Sequence, residues 1–483
     1  MENPKFEIKE ATIRKIQQVF EANQLTSVEL VEFYLDRIEQ FDQNGPNINS
    51  VLSINPDALK IAAELDEMRG QEGQGPLYGI PVLLKDNINT TDPMPTTAGA
   101  IALQENFAAT DAFVASQLRS AGAIILGKAN MSEWAYFMTE NVPSGYSGLG
   151  GQVLNPYGVG TFEAGSVGGS SSGTGAGIAS NFAVVGIGTE TSGSILSPAS
   201  ANSLVGIKPT VGLISRTGII PIAESQDTPG PMARTVEDAA ITLGVLTGED
   251  EMDPVTHQSV GNGLTDYTAH LIKDGLQGAK LGVDRSLLSK ADKEERTIIE
   301  QAIKDLASLG AIIEEVAIPK SDFESEVLWY EFNRGINEYL KNVPDTVPVK
   351  SLAELIDFNK EEPELRMKFG QVHLEKALAL GNDPENPRYL EHRDMDIKLS
   401  TIDGIDAVME KHQLDALVFE NNHGAQLPAK AGYPSITVPA GYTSTGLPVG
   451  ITFSALAYSE PRLIELAYSY EQATQKRKAP NFY

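Results

Sequence analysis

The chain has 483 residues and no cysteine. This absence excludes disulfides, thiolate metal sites and a cysteine nucleophile, but it does not decide the compartment, since a cysteine-free chain suits either redox state. Histidine is scarce too, and no pair of histidines has H-E-x-x-H or comparable ligand spacing. We therefore predict neither a catalytic metal nor a cofactor. The histidines are His257, His270, His373, His392, His412 and His423.

Long apolar runs are also lacking. No stretch of about 18 apolar residues occurs, which predicts no transmembrane helix. The N-terminal segment "MENPKFEIKEATIRKI" is charged and helical in pattern, without the apolar region of a signal peptide. A signal peptide already removed would leave no trace in this sequence. We expect a cytoplasmic protein that is a monomer or a homodimer.

Basic residues are outnumbered, with 37 Lys and Arg against 65 Asp and Glu and a formal charge of −28. Nucleic acids and anionic membranes repel a chain of this charge. We therefore exclude both as partners and expect a small-molecule or peptide substrate.

Apolar runs alternate with helical patterns in the first half of the chain. "GIPVLL" at 79–84 and "AIILG" at 123–127 read as buried strands, and "DAFVASQLRSAG" between them reads as a helix. Earlier, Thr26 and Glu29 are spaced for a capping box. This strand–helix–strand rhythm predicts an α/β fold. Residues 250–410 are more charged and helical, and strands and a final helix follow at 414–475. We find no long linker and expect one continuous domain.

Small residues are concentrated between Gly168 and Ile195, in "GGSSSGTGAGIASNFAVVGIGTETSGSI". The stretch "NFAVVGIGTET" within it predicts a buried strand rather than a linker. Ser197 suits a helix N-cap and Pro198 the first helical position, so Ser194 is expected in a tight turn between strand and helix. Successive backbone N–H groups in such a turn can converge on an oxyanion.

A serine nucleophile needs a base, and two arrangements are open. Lys85 ends an apolar strand, where burial lowers the pKa of a lysine and lets the neutral amine accept a proton. Alternatively, Gly169–Gly173 matches G-x-S-x-G around Ser171, with Asp415 and His423 downstream, as in a Ser-His-Asp esterase. The preceding "TFEAGSVG" lacks the apolar strand that this motif requires.

Several segments together resemble the amidase signature family. They are "PLYGIPVLLKDNI", "GGSSSGTGAGIASN", "GIGTETSGSILSPASANSLVGIKPTVGLISRTGIIPIAESQDTPGPMARTVEDAA" and "GYPSITVPAGY…GLPVGITF". The resemblance covers about residues 75–240 and 414–475. Within the family, the sequence is most similar to the branch that contains bacterial peptide amidases. It implies a single domain with a central mixed β-sheet covered by helices on both faces.

The resemblance also implies a mechanism. The family hydrolyses carboxamides to a carboxylate and ammonia or an amine through a Ser–cis-Ser–Lys triad and an acyl-enzyme. By motif position, Ser194 corresponds to the nucleophile, Ser170 to the bridging serine after a cis peptide bond, and Lys85 to the base. The oxyanion hole corresponds to the backbone N–H groups of Thr191, Ser192 and Gly193.

Four positions depart from the family pattern. Leu196 stands where many members have arginine, which counts against the other alternative, an amidotransferase-type subunit that feeds ammonia to a partner within a complex. Ser192 replaces a residue that is often Gly or Asp. Leu149 and Leu154 lie where the peptide-amidase branch is expected to have basic residues. These departures leave the amide substrate open.

Overall fold

The computed structural model describes residues 6–71, 73–158, 166–288, 292–319 and 321–482. Within these ranges eleven strands form one mixed sheet, in the order β1-β3-β2-β6-β8-β7-β12-β13-β11-β9-β10, and β4 and β5 form a separate ribbon. The strands are β1 (Val51–Ile54), β2 (Pro81–Lys85), β3 (Ile124–Ala129), β4 (Tyr146–Ser147), β5 (Gly151–Gln152), β6 (Val185–Glu190), β7 (Val205–Lys208), β8 (Thr228–Ala233), β9 (Lys280–Val283), β10 (Ile312–Glu315), β11 (Ala416–Glu420), β12 (Ser435–Tyr442) and β13 (Pro448–Ser454).

The sheet is parallel in two places and antiparallel elsewhere. Strand β2 lies between β3 and β6 and is parallel to both, and β11-β9-β10 is also parallel. Antiparallel pairs link β6 through β8, β7, β12 and β13 to β11, and β1 pairs antiparallel with β3 at the edge. All residues of β2, β3 and β6 are buried, so helices and loops cover both faces there. The predicted α/β fold with a mixed central sheet is confirmed.

The α-helices of the described ranges follow in chain order. They are α1 (Ile13–Glu21), α2 (Ser27–Arg37), α3 (Ala58–Met68), α4 (Phe113–Ser120), α5 (Ser172–Ala179), α6 (Leu196–Ala201), α7 (Val236–Leu246), α8 (Arg285–Leu288), α9 (Lys293–Ser308), α10 (Val327–Lys341), α11 (Leu352–Glu361), α12 (Pro363–Arg366), α13 (Val372–Leu380), α14 (Pro387–Ser400), α15 (Asp406–His412), α16 (Gln426–Ala431) and α17 (Glu460–Thr474). Short 3₁₀ or π turns lie at Ile38–Gln43, Ile101–Leu103, Glu133–Tyr136, Pro254–Ser259, Thr268–His270 and Thr401–Ile405. None of the helices in these ranges is long and apolar enough to cross a membrane.

Local sequence signals account for the elements that lead to the site. The capping box forms as predicted: the Glu29 amide donates to Thr26 Oγ1 at 3.1 Å, and the Thr26 amide donates to Glu29 Oε2 at 2.8 Å. The strands predicted at 79–84 and 123–127 are β2 and β3, with α4 between them as expected. The charged middle of the chain is mostly helical, and α10, α11 and α13 share an apolar cluster with residues 131–138 and 220–223. This cluster joins the middle helices to the centre of the protein.

The small-residue segment forms a buried helix, α5, before strand β6 begins at Val185. Its glycines allow close backbone contacts. A Cβ on Gly173 would lie 2.3 Å from the Ser50 carbonyl oxygen and 2.4 Å from that of Asn130. Because both neighbours are backbone atoms, neither can move aside cheaply. Glycine at position 173 is therefore a packing requirement of the helix that follows Ser170.

We predict that Gly173→Ala destabilises the protein by more than about 3 kcal/mol, because the added methyl overpacks a rigid backbone contact. Urea unfolding followed by circular dichroism measures the effect. An unfolding midpoint equal to that of the unmodified protein would contradict this account of α5.

Candidate active site

Lys85 is the last residue of β2, and its side chain is completely buried. Its Nζ lies 2.8 Å from Ser170 Oγ. It also donates to Thr189 on the neighbouring strand β6, at 2.8 Å to Oγ1 and 3.1 Å to the carbonyl oxygen. The parallel pairing of β2 with β6 brings the ends of the two strands together, and this places Thr189 under the amine. The structure thus brings Lys85 and Ser170 together, as the sequence predicted.

Burial determines the charge of this lysine. Removal from water lowers the pKa of Lys85 from 10.5 to about 7, although the carboxylates of Asp227 and Glu190 act in the opposite direction. Neither of those carboxylates contacts Nζ, so burial outweighs them. A large fraction of Lys85 is therefore neutral near pH 7.

Ser170 is completely buried, and the peptide bond between Gly169 and Ser170 is cis. Its carbonyl oxygen accepts the amide of Ser132 at 3.1 Å. A side chain at position 169 would collide with Ser132 and Tyr136, since a Cβ there would lie 2.7 Å from the Ser132 Oγ. The backbone at Ser170 is thus held by Ser132, and the space beside position 169 admits no side chain.

Ser194 lies beside this pair at the end of the turn after β6. The amide of Ser171 donates to the Ser194 carbonyl oxygen at 3.2 Å, and the Ser194 side chain retains a small accessible fraction. In the residues that the structure describes, the hydroxyls of Ser170 and Ser194 form no direct hydrogen bond with each other. The backbone therefore holds the two serines side by side. Of the two contacts in the triad, only that between Lys85 and Ser170 is a hydrogen bond in the described residues.

The turn that carries Ser194 is organised by Glu190, a residue that the sequence analysis missed. Its buried carboxylate accepts the amides of Gly193 at 2.7 Å, Ile195 at 2.7 Å and Leu196 at 3.0 Å. Helix α6 begins at Leu196 after Ile195 as its N-cap, so the prediction that Ser197 caps this helix is wrong. The carboxylate supplies the acceptor that a serine cap would have supplied, and its negative charge suits a helix N-terminus.

The amides predicted to form the oxyanion hole are not equivalent. That of Gly193 already donates to Glu190. Those of Thr191 and Ser192, in contrast, donate to no group in the described ranges, and the same holds for the amide of Ser194. The side-chain hydroxyl of Thr191 donates to the buried carboxylate of Asp227. The free amides of Thr191 and Ser192 are adjacent, in a turn that the carboxylates of Glu190 and Asp227 hold in place.

The esterase alternative is contradicted by the positions of its residues. Asp415 accepts the Lys280 amide at 2.8 Å and Arg462 Nε at 3.0 Å. His423 lies beyond the other end of β11, half exposed, and its Nδ1 is 3.9 Å from Glu420. Ser171 is completely buried, and its hydroxyl donates to the Thr189 carbonyl oxygen at 3.1 Å. These residues do not form a Ser-His-Asp triad.

A cavity of about 410 Å³ adjoins the end of β6 at Thr189 and Thr191. One wall consists of the loop between β7 and β8, and the opposite wall is helix α10. No motif in the sequence pointed to these walls, because they come from segments far apart in the chain. The residues that line the cavity include Asn87, Thr189, Ile220, Pro221, Arg334 and Gly335.

Metal ligands are not grouped around these residues. In the part of the chain that the structure describes, no three His, Asp or Glu side chains are arranged so that they could hold a metal ion.

A model of the amidase family matches residues 29–464. The chain belongs to the amidase family. It is 40% identical to a probable amidase of Arabidopsis thaliana over 485 aligned residues, which cover 99% of this chain and 92% of the relative. It is therefore an amidase, as the sequence motifs implied.

Solved structures of this amidase family resemble the protein along its whole length. The native peptide amidase of Stenotrophomonas maltophilia is 44% identical, with a TM-score of 0.92 over 98% of this chain and 99% of that one. An amidase family protein of Bacillus anthracis is 40% identical, with a TM-score of 0.92 over 98% of this chain and 93% of that one. The similarity includes the charged middle of this amidase as well as the motif-bearing segments.

We predict that Glu190→Gln lowers the free energy of unfolding by about 2–3 kcal/mol, because the amide replaces a carboxylate oxygen by a donor that faces backbone N–H groups. Urea denaturation measures the change. Glu67→Gln on the exposed side of α3 serves as the control and should leave stability unaltered. A loss no greater than that of the control would show that Glu190 does not hold the turn.

Proposed function

We propose that the protein hydrolyses a carboxamide with Ser194 as nucleophile and with Ser170 and Lys85 as the proton relay. The observation that carries the proposal is the 2.8 Å contact between Ser170 Oγ and the fully buried Nζ of Lys85. Among the described residues, no carboxylate contacts this lysine, and its Nζ lies within hydrogen-bond distance of the hydroxyls of Ser170 and Thr189, which suits a general base.

Three oxygens surround Nζ of Lys85, and they match both the three N–H groups of an ammonium and the donors and lone pair of a neutral amine. The proposed relay uses the neutral form. A neutral amine has two N–H groups and one lone pair. Thr189 offers two acceptors, its Oγ1 and its carbonyl oxygen, for the two N–H groups. The lone pair is then directed at the hydroxyl of Ser170, which donates its proton to it. Thr189 is thus a positioning residue for the base.

The first step forms the acyl-enzyme. Ser170 passes its proton to Lys85 and takes the proton of Ser194, and Ser194 Oγ attacks the carbonyl carbon. The electron pair of the C=O bond moves to oxygen, where the free amides of Thr191 and Ser192 stabilise it, each by roughly 3–4 kcal/mol. The amide of Gly193, committed to Glu190, shapes the turn instead.

Collapse of the tetrahedral intermediate breaks the C–N bond. Ser170 donates a proton to the leaving nitrogen and takes back the proton held by Lys85, since an unprotonated amide nitrogen is a poor leaving group. Ammonia or an amine departs and Ser194 remains acylated. Water then attacks the ester by the same relay, which releases the carboxylate and restores both serines.

The substrate class we propose is a peptide that ends in a primary carboxamide. The cavity beside Thr189 and Thr191 has a volume of about 410 Å³, enough for an amino-acid side chain with an adjoining peptide group. The 44% identity and full-length match to the Stenotrophomonas maltophilia peptide amidase support the same class.

We predict that Ser194→Ala lowers kcat by at least about 10⁴-fold and that Lys85→Ala lowers it by about 10²–10⁴-fold, because the first removes the nucleophile and the second the base. Ammonia release from an amidated dipeptide measures both. Ser120→Ala on the exposed face of α4 is the control. Near-normal turnover by a folded Ser194→Ala protein would overturn the proposal.

The pH dependence should report the base. Since the pKa of Lys85 is lowered to about 7, kcat/KM should rise between pH 5.5 and 8 and then level off, as the amine loses its proton. Initial rates of ammonia release across this range test the expectation. A flat profile through pH 7 would indicate a different base.

A further inference from the structure

Three residues that line the 410 Å³ cavity each have one buried polar side-chain atom without a partner among the described residues. These atoms are the acceptor Oδ1 of Asn87, the donor Nη1 of Arg334 and the hydroxyl oxygen of Thr217. Buried polar atoms in folded proteins are nearly always paired, so such atoms in a cavity wall indicate a ligand that supplies the missing partners.

Asn87 forms the inner end of the cavity, next to the catalytic lysine. Its side chain is 2% exposed, and its Nδ2 donates to Thr189 Oγ1 at 3.0 Å and to the Ile220 carbonyl oxygen at 3.4 Å. Because a carbonyl oxygen can only accept, these contacts place the amide nitrogen toward the protein. Oδ1 is then the atom left to accept a hydrogen bond.

Arg334 forms the outer wall and is held there on two sides. Its Nη2 donates to Glu224 and to the Tyr389 hydroxyl, the latter at 3.2 Å, and its guanidinium lies 5.1 Å from the centre of the Tyr389 ring. These contacts use one edge of the guanidinium and leave Nη1 buried and unpaired. Arg216, the other arginine of the cavity, has Nε, Nη1 and Nη2 all bonded to Asp253 or Glu224.

The residue next to Arg334 keeps the space open. Gly335 lies in the cavity wall opposite Pro221, and a Cβ there would lie 2.9 Å from Pro221 Cγ. Helix α10 thus approaches the Pro221 loop closely at Gly335 and presents the guanidinium one residue earlier. The donor and the acceptor therefore belong to residues that line the same chamber.

We propose that this chamber binds the peptide group that precedes the amidated residue of the substrate. Asn87 Oδ1 accepts the N–H of that group, and Arg334 Nη1 donates to its carbonyl oxygen. This assignment agrees with the order of the groups in the substrate, because the N–H is nearer to the scissile carbonyl than the preceding C=O is. The inference rests on the proposed hydrolysis of peptide amides and makes Arg334 a specificity-determining residue of that reaction.

The test compares two substrates that share the phenyl ring and the scissile carboxamide. N-acetylphenylalaninamide carries the preceding peptide group, and 3-phenylpropanamide lacks it. We expect the unmodified enzyme to prefer the first by about 100-fold or more in kcat/KM, since a site built for hydrogen bonds rejects a substrate that cannot form them. Arg334→Met should lower kcat/KM for N-acetylphenylalaninamide by about 10–100-fold and leave that for 3-phenylpropanamide within about twofold.

Two further variants separate recognition from structure. Arg334→Lys keeps a cationic donor and should recover part of the preference. Arg388→Met is the matched control, because it removes another arginine–glutamate pair, with Glu326 at 2.7 Å, on nearby helix α14. It should leave the ratio of the two substrates unchanged.

The possible results are distinguishable. Similar kcat/KM values for the two substrates with the unmodified enzyme would overturn this inference alone, and so would an equal loss on both substrates in Arg334→Met. Hydrolysis of neither substrate by the unmodified enzyme would instead contradict the proposed function. The substrate comparison needs no variant, so it decides the matter even if Arg334→Met does not fold.

Discussion

The site depends on a single buried amine. Lys85 ends a strand with no exposed residue, and its Nζ contacts two oxygens of Thr189 and the hydroxyl of Ser170. An ammonium group in this position would forfeit hydration that these neutral oxygens replace only in part. The protein lowers the proton affinity of the lysine by burial, and the central parallel strands provide that burial because both of their faces are covered.

Two carboxylates, those of Glu190 and Asp227, hold the turn near this amine. Glu190 neutralises the N-terminus of α6 and holds three turn amides, while Asp227 accepts the Thr191 hydroxyl from below. Neither carboxylate contacts Lys85. This separation lets the same turn remain rigid and polar without restoring the charge of the base. The segment that connects strand to helix is therefore shaped by acceptors, and the amides that remain free can serve a substrate.

Much of this architecture follows from sequence patterns. Apolar runs predicted β2 and β3, and the resemblance to the amidase signature family implied that Lys85 and Ser170 lie close together. Glu190 and the cavity walls were not predicted, for different physical reasons. In the sequence, Glu190 follows an apolar run and indicates only the end of a strand. Its contacts with the N-terminus of α6 depend on the tight turn between them, which the sequence pattern does not specify. Arg334 lies on a helix whose local sequence shows only amphipathic periodicity, and its role arises from long-range packing against the Pro221 loop.

The charge state of Lys85 is the central claim, and NMR tests it most directly. Protein labelled with ¹³C and ¹⁵N in lysine, assigned by comparison with Lys85→Ala, reports the titration of this one amine without any substrate. We predict that the Lys85 side-chain resonances titrate with a midpoint near pH 7. A midpoint at the ordinary lysine value of about 10.4 would contradict it, because the amine would then be an ammonium throughout the neutral range.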